Sequence, residues 1–568
     1  MQCLSVSSRI VSPVDVRPPY PTLTAALEAG ARDGAPFVTF HTGREAVERD
    51  QRATLAGAHR WARALSANGV RRGNRVLLLM TTGPDFVEAM LGTQQLGAIP
   101  VPLASPMTFG GMERYLRNLQ AIADDAGART LVTTPRVRDT LARDGSLHAS
   151  IATVLTAAEL DGFGTDTHVF RDASSTDIAL IQYTSGTTGR PKGVVISHRA
   201  LVSNAYAIAH GLHLTHRDVG VSWLPLFHDM GLIGVLLTAL CHPYPLHLLS
   251  PEGFVMRPQS WLRLLARVRG TLSAAPNFGY ELCATRADLD EVLELGAWRL
   301  ALNGSEPVHP TTARRFAERF ESYGFSPSAM LPVYGMAEAT LAVAFASPGE
   351  GVSVLATNRE RLEREGVAVD ARGAGGYAAV SVGGPVAGMS VRIVDEGGAE
   401  SSERVVGTVQ IAGPSVMDGY FGNETATREA LRDGWLHTED RGFVAGGKLY
   451  IVGRAKEMII KGGRNIYPYD VERIAAEVSG VRRGGVAAFG VTNEASGTED
   501  LCVVAETLER SDEARAAMEK EIRGELLAVL GVRVDTVRWC APGALPRTTS
   551  GKIRRRACAA FLDAEAAS

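Results

Sequence analysis

Between Arg75 and Thr134 the chain alternates short apolar runs with longer amphipathic stretches, and this alternation restricts its architecture more than any other feature. "RVLLLMTT" reads as a strand and "PDFVEAMLGTQQLGA" has helical spacing. "IPVPL" is a second strand, "GGMERYLRNLQAIADDAG" a second helix and "RTLVTT" a third strand. That order predicts an α/β fold, a largely parallel sheet with helices packed on its faces. "DIALIQYTSG" repeats the theme, as a strand running directly into a loop rich in glycine and hydroxyls.

At 568 residues the chain is too long for a single hydrophobic core. Its character changes after Gly453, where a turn-rich junction leads to the apolar runs "GVAAFGV" and "LCVVAETL", a helix "SDEARAAMEKEIRGELLAVLG" with Ser511 as N-cap, and a last strand in "RVDTVRWC". The expected organisation is a large N-terminal domain over 1–453, a hinge at 454–456 and a small α+β C-terminal domain over 457–568. A charged helical piece with Gly-rich flanks, between about 352 and 380, reads as a surface insertion.

The formal net charge of -3 leaves no electrostatic footprint for nucleic acid or an anionic membrane, so neither is an expected partner. The six cysteines have no CxxC spacing and suggest neither a zinc site nor a disulfide framework. The first residues lack the basic and apolar regions of a signal peptide. "MGLIGVLLTALC", from Met230, is too short to span a bilayer and reads as a buried helix. These features suit a soluble cytoplasmic enzyme without an integral membrane segment.

The loop "YTSGTTGRPKG" (183–193) carries the first chemical signal. Gly186 and Gly189 permit close approach of a ligand, Thr184, Ser185, Thr187 and Thr188 offer donors, and Lys192 supplies a point charge, all suited to phosphate oxygens. The spacing is GxxGxxK, with Gly193 where a Walker loop would have Ser or Thr.

"YTSGTTGRPKGVVISH" resembles the phosphate loop of the adenylate-forming superfamily, which includes acyl-CoA synthetases, nonribosomal adenylation domains and luciferases. Further motifs follow in that family's order: "SWLPLFHDMGLIG" (222–234), "LNGSEP" (302–307), "YGMAEAT" (334–340), "GWLHTEDRG" (434–442), "GRAKEMIIKGGRNIYP" (453–468) and "PRTTSGKIRR" (546–555). The resemblance runs from about Thr22 to Arg556.

It implies specific roles. Lys552 is the catalytic lysine that bridges the carboxylate and the α-phosphate of ATP. Glu338 holds Mg2+, a hard cation that prefers oxygen ligands. The loop residues Thr184 to Gly189 with Lys192 grip the phosphates. Asn303, Gly304, Ser305 and Glu306 lie along the adenine, with Tyr334, Gly335, Met336 and Thr340 nearby; Asp440 takes the ribose hydroxyls, and Arg454 the ribose or a phosphate. Trp223, Phe227, His228, Asn277, Phe278 and Tyr280 border the acyl pocket, His228 also being a candidate catalytic residue, and Lys456 is the hinge.

Within the superfamily the "SWLPLFHDMGLIG" form, the "RPQSW…PNFGY" pattern and Ala337 before the glutamate are similar to fatty-acyl-AMP ligases. The 352–380 segment falls where those ligases carry an insertion that restrains domain rotation and disfavours coenzyme A. That branch implies a fatty acid substrate and an acyl carrier protein as acceptor. "IIKGGRNIYP" is closer to acyl-CoA ligases, so an acyl-CoA synthetase remains the alternative. A nucleotide-binding scaffold without turnover is a third reading, disfavoured because Lys552, Glu338 and Asp440 are all present.

Overall fold

The computed structural model describes residues 7–42, 45–105, 112–143, 151–162, 173–184, 191–289, 293–371, 376–493, 498–548 and 551–563. Its largest sheet runs, in order, through Gly384–Pro385, Ala342–Phe345, Met330–Gly335, Leu300–Asn303, Leu272–Ala275, Gly220–Ser222, Leu246–Leu249, Val38–Thr42 and Glu45–Arg49. The strands from Met330–Gly335 across to Val38–Thr42 are all parallel, and antiparallel strands close both edges. Interior strands such as Leu272–Ala275 are buried along their whole length, which is why they read as continuous rather than alternating apolar runs.

The alternation at 75–134 folds as expected. Ile99–Pro102, Arg75–Leu79, Thr130–Thr133 and Thr153–Leu155 form a fully parallel sheet, connected through the helices Pro84–Gln95 and Met112–Ala126. Ile178–Thr184 departs from the expectation. It does not continue the parallel series but turns back as a hairpin with Lys192–Ser197, in a register that sets Thr184 opposite Lys192. A parallel partner would need a crossover of a dozen or more residues, and the short loop after Thr184 leaves room only for reversal.

A third sheet is antiparallel and joins Ile10–Val11, Ser390–Val394, Gly407–Ala412, Trp435–Ala445 and Leu431–Arg432, with Lys448–Arg454 also paired to Trp435–Ala445. Beyond it, one buried cluster draws only on residues between Ile459 and Val537. There the strands Val481–Asn493, Thr498–Thr507 and Thr536–Cys540 pack with the helices Pro468–Ala475 and Asp512–Leu530. Ser511 caps the longer helix by accepting the Ala514 N–H.

The run from Met230 is a buried helix, wound as a wide π-helix over Met230–Leu237 before it tightens at Thr238–Cys241. Such turns are rare and cluster near functional sites. Among the described residues no helix is long and apolar enough to cross a membrane.

The 352–380 segment is not the surface appendage its charge suggests. Its hairpin, Val354–Thr357 with Tyr377–Val380, and its helix, Arg359–Glu365, bring Leu362, Ala368 and Ala379 into a shared cluster with Phe443, Tyr450, Val452 and Tyr467. Glu363 in this helix is only 2% exposed and accepts from Arg464 Nε at 3.0 Å, while Arg359 reaches Asp470 at 2.8 Å.

Candidate active site

Neighbouring parallel strands of the largest sheet deliver the predicted residues from one edge. Gly220–Ser222 leads into Trp223, Leu272–Ala275 into Asn277 and Phe278, Leu300–Asn303 into Gly304, Ser305 and Glu306, and Met330–Gly335 carries Tyr334 into Met336. The crevice outside the carboxyl ends of parallel strands is where such sheets bind ligands.

The segment after Met330–Gly335 is knotted tightly. Met336 N–H donates to Leu341 O at 2.8 Å, and the same carbonyl would lie 2.0 Å from a Cβ at Gly335, so only glycine fits there. Thr340 has φ 65° and ψ -57°, and Leu341 N–H reaches Ala339 O at 2.7 Å across it. This is a γ-turn of the rare positive-φ kind, a strained arrangement typical of functional loops. It aims Glu338, whose Oε1 accepts the Tyr420 hydroxyl at 3.0 Å. The Tyr420 ring in turn receives the Lys192 ammonium at 4.8 Å from its centroid, so Lys192 and Glu338 share one aromatic support.

Across the crevice Asp440 is buried, with Oδ2 accepting the Tyr334 hydroxyl at 2.6 Å and Oδ1 accepting Arg454 Nε at 2.9 Å. Asp440 and Arg454 face each other in the strand register. The carboxylate, above all, holds the Arg454 guanidinium well above its ordinary pKa.

Lys552 enters from the C-terminal region, on a loop closed by Thr548 N–H to Lys552 O at 2.7 Å. Its surface is exposed, yet protein crowds it, and this desolvation followed by the charge of Arg454 lowers its pKa below the usual lysine value. Asp229, Glu306 and Asp440 oppose that shift, so Lys552 is within electrostatic reach of both walls of the crevice. Burial raises the Glu306 carboxyl, while the Phe278 N–H it accepts at 2.6 Å and the Lys552 ammonium pull the other way. Burial also works to raise Asp229, but His228, Lys552 and the Met230 N–H together outweigh it and lower the carboxyl.

Comparison with known proteins decides what such a crevice belongs to. Residues 39–421 match the family model described as AMP-binding enzyme. The chain belongs to the AMP-binding enzyme family. It is 37% identical to a putative acyl-CoA synthetase of Caulobacter vibrioides, over 96% of each chain. It is 34% identical to the long-chain-fatty-acid–AMP ligase FadD32 of Mycolicibacterium smegmatis, over 93% of this chain and 91% of that one. A solved structure from a study of fatty acyl-adenylate ligases of E. coli and L. pneumophila superposes with a TM-score of 0.88 at 33% identity, over 95% of this chain and 97% of that one. The chain is therefore an ATP-using, adenylate-forming ligase that groups with the fatty-acyl-AMP ligases.

The structure of this AMP-binding enzyme sorts the residues named from sequence. Trp223 stacks on Phe254 at 3.8 Å and meets Phe278 edge-on at 5.8 Å, while Phe278 is 40% exposed and faces outward. The Phe227 carbonyl accepts Gln182 Nε2 at 2.8 Å, tying the motif to the hairpin of Ile178–Thr184 and Lys192–Ser197. Asn277 is an internal strut: its Oδ1 accepts from His309 N–H at 3.1 Å and Asn303 Nδ2 at 3.4 Å. Asn303 Oδ1 stays buried with no partner among the described residues.

Two expectations change. Tyr280 is fully buried, donating to Leu302 O at 2.8 Å within a cluster of Trp261, Trp298 and Phe316, so it backs the pocket instead of lining it. Thr340 is equally buried and its hydroxyl is taken up by Ser415 O at 2.7 Å, so it shapes the turn and offers a nucleotide no donor. Ser185, Gly186, Thr187, Thr188 and Gly189 lie outside the described residues. Lys456 pairs with Glu439 at 2.6 Å, and next to it Glu457 pairs with Arg555 at 2.6 Å, which links the stretch after Arg454 to the segment carrying Lys552.

Sequence reasoning passed over Asp229 and Tyr420. Asp229 Oδ1 lies 2.6 Å from His228 Nδ1, and its adjacency to histidine in "FHDMG" was the available signal. Tyr420 lies in the strand Gly419–Tyr420, which pairs with Lys192–Ser197, a contact between distant segments that no local pattern announces.

Proposed function

We propose that this enzyme condenses a fatty acid with ATP to give acyl-AMP and pyrophosphate, and then passes the acyl group to the phosphopantetheine thiol of an acyl carrier protein. The observation that carries this reading is that the Lys552 ammonium feels the charges of Arg454, Asp229, Glu306 and Asp440, which separate segments of the chain supply. A carboxylate and a triphosphate repel each other, so the first step needs positioned positive charge more than a nucleophilic side chain. The fatty carboxylate attacks the α-phosphorus, the acyl–oxygen–phosphorus bond forms, and the bond to pyrophosphate breaks. Lys552 neutralises the oxygens at that centre, and Lys192 with the loop before it holds the phosphates that leave.

Asp440 accepts the ribose hydroxyls, and the orphaned, buried Asn303 Oδ1 matches an adenine amino group. The acyl chain enters beside Trp223, Phe227, His228 and Phe278. Glu338 presents an oxygen donor that Tyr420 orients, which fits Mg2+. Bound there, the ion would offset phosphate charge.

The thiol step calls for a second arrangement, with the region after 456 turning about Lys456 as a separate domain. A cytoplasmic location accords with Cys241, Cys283, Cys502, Cys540 and Cys558, all free and buried. Pyrophosphate release measured with a panel of fatty acids tests the first step; no release with any of them would overturn it. Lys552→Ala should abolish ATP–pyrophosphate exchange while leaving thioester formation from supplied acyl-AMP intact. The alternative, acyl-CoA formation, is favoured by the "GGRNIYP" sequence after the hinge. Thioester yield with coenzyme A against a holo carrier protein separates the two.

A further inference from the structure

We infer that Glu281 and Arg483 form a latch that seats the Lys552 loop over the crevice, which makes Arg483 a positioning residue for acyl-adenylate formation. The inference rests on the role proposed for Lys552 and concerns what holds it in place. Arg483 Nη1 meets Glu281 Oε1 at 2.7 Å, an ion pair between segments 202 residues apart. Glu281 belongs to the helix Asn277–Arg286, whose first turn carries Phe278. Its carboxylate is fixed in advance, since Oε2 accepts the Thr312 hydroxyl at 3.0 Å and Oε1 also takes Arg315.

The other half of the latch leads straight to Lys552. Arg483 sits in a β-bulge between Val481 and Val486, at a turn where Gly484 has φ 69°. Arg547 spans from this bulge to the catalytic loop, donating to Gly484 O through Nη2 and to Gly551 O through Nη1 at 2.9 Å. Arg482, next to Arg483, is anchored inward on the fully buried Glu506, which also accepts Leu545 N–H at 3.2 Å. Bulge and loop therefore move as one piece, and the outward pair to Glu281 is where that piece grips the large sheet's side of the crevice.

A half-exposed ion pair is weak as a source of stability. Between two domain arrangements of similar free energy, though, a small difference redistributes the population. Arg483→Glu sets a carboxylate against Glu281. It should lower kcat for ATP–pyrophosphate exchange with dodecanoate about threefold to tenfold, with the KM for ATP unchanged. Transfer from supplied dodecanoyl-adenylate to pantetheine should be undiminished. Glu281→Gln should show the same split, and Arg483→Lys should restore exchange. Unchanged exchange in Arg483→Glu, or equal loss of both half-reactions, would overturn the latch. Lys552→Ala run alongside distinguishes the two readings. If it retains exchange, the role of Lys552 falls and the latch with it; if it loses exchange while Arg483→Glu does not, only the latch falls.

Discussion

The Tyr334 hydroxyl donates to Asp440 Oδ2 at 2.6 Å, and this bond joins the end of a parallel strand in the largest sheet to the middle of an antiparallel one. Asp440 also receives Arg454, so one buried carboxylate fixes the geometry of residues from both walls of the crevice.

Asp440→Ala should therefore act on nucleotide binding first. Losing hydrogen bonds to a charged acceptor is worth about 1.5–3 kcal/mol, roughly a tenfold to hundredfold rise in the KM for ATP. The KM for the fatty acid should stay close to its original value. Initial-rate kinetics with each substrate varied in turn make the comparison.

Lys552 gives a pH signature. In the role proposed for it the ammonium must be protonated, and desolvation together with Arg454 lowers its pKa below the ordinary lysine value. Activity is then present below that lowered pKa and lost as pH rises through it. In kcat/KM for ATP, which reports the free enzyme, the alkaline limb should fall earlier than for an unperturbed lysine. A Lys552→Arg variant that keeps residual exchange should lose this limb, because a guanidinium does not titrate in that range.

The residues of this candidate site could be picked out of the sequence because short contiguous motifs carry them. Glu338, Asp440, Arg454 and Lys552 sit inside them, and the structure brings all four to one crevice with Glu306. The parallel sheet at 75–134 was legible for a related reason, since βαβ connections are local in sequence. What stayed hidden depends on distant pairings and backbone dihedrals. Val38–Thr42 lies beside Leu246–Leu249, which no local periodicity can indicate. The positive φ at Thr340 and the π-helical winding after Asp229 are set by tertiary packing, and neither is encoded by residue type. The insertion misled through its composition, because Arg359 and Glu363 turn onto partners inside the protein while Glu360, Arg361, Arg364 and Glu365 stay exposed.

Gly279 offers a test of the acyl side alone. A Cβ there would stand 2.8 Å from Trp223 Cζ2 and 3.2 Å from Ala275 Cβ, and Trp223 is backed by Phe254 and Trp261. Gly279→Ala should displace the Trp223 ring at a cost of about 1–3 kcal/mol, as overpacking does. The expected outcome is a raised KM for long fatty acids with the KM for ATP unchanged.

Glu363 tests the insertion more cleanly than deleting it, which would uncover Phe443, Tyr450 and Tyr467. Glu363→Gln weakens its bonds to Arg359 and Arg464 while keeping the shape of the side chain. If the insertion restrains the region after the hinge, thioester yield with coenzyme A should rise relative to wild type. Thermal denaturation should show some loss, since breaking a buried charge pair costs about 3–5 kcal/mol and the retained amide recovers part of it.

Tyr467 lies well past the proposed hinge, yet it is 4% exposed and packs with Leu362 and Ala379 of the insertion and with Phe443 and Val452 of the antiparallel sheet. Three stretches of chain thus share one droplet of apolar surface that none of them can close alone. If the region after 456 turns as proposed, that droplet is wetted, and Leu362 and Ala379 are part of what is exposed. The natural cut between interchangeable parts then does not fall at 454–456. A chimera joined there to a relative lacking the insertion would leave Tyr467 without its companions, whereas a junction placed after Tyr467 would carry the droplet across whole.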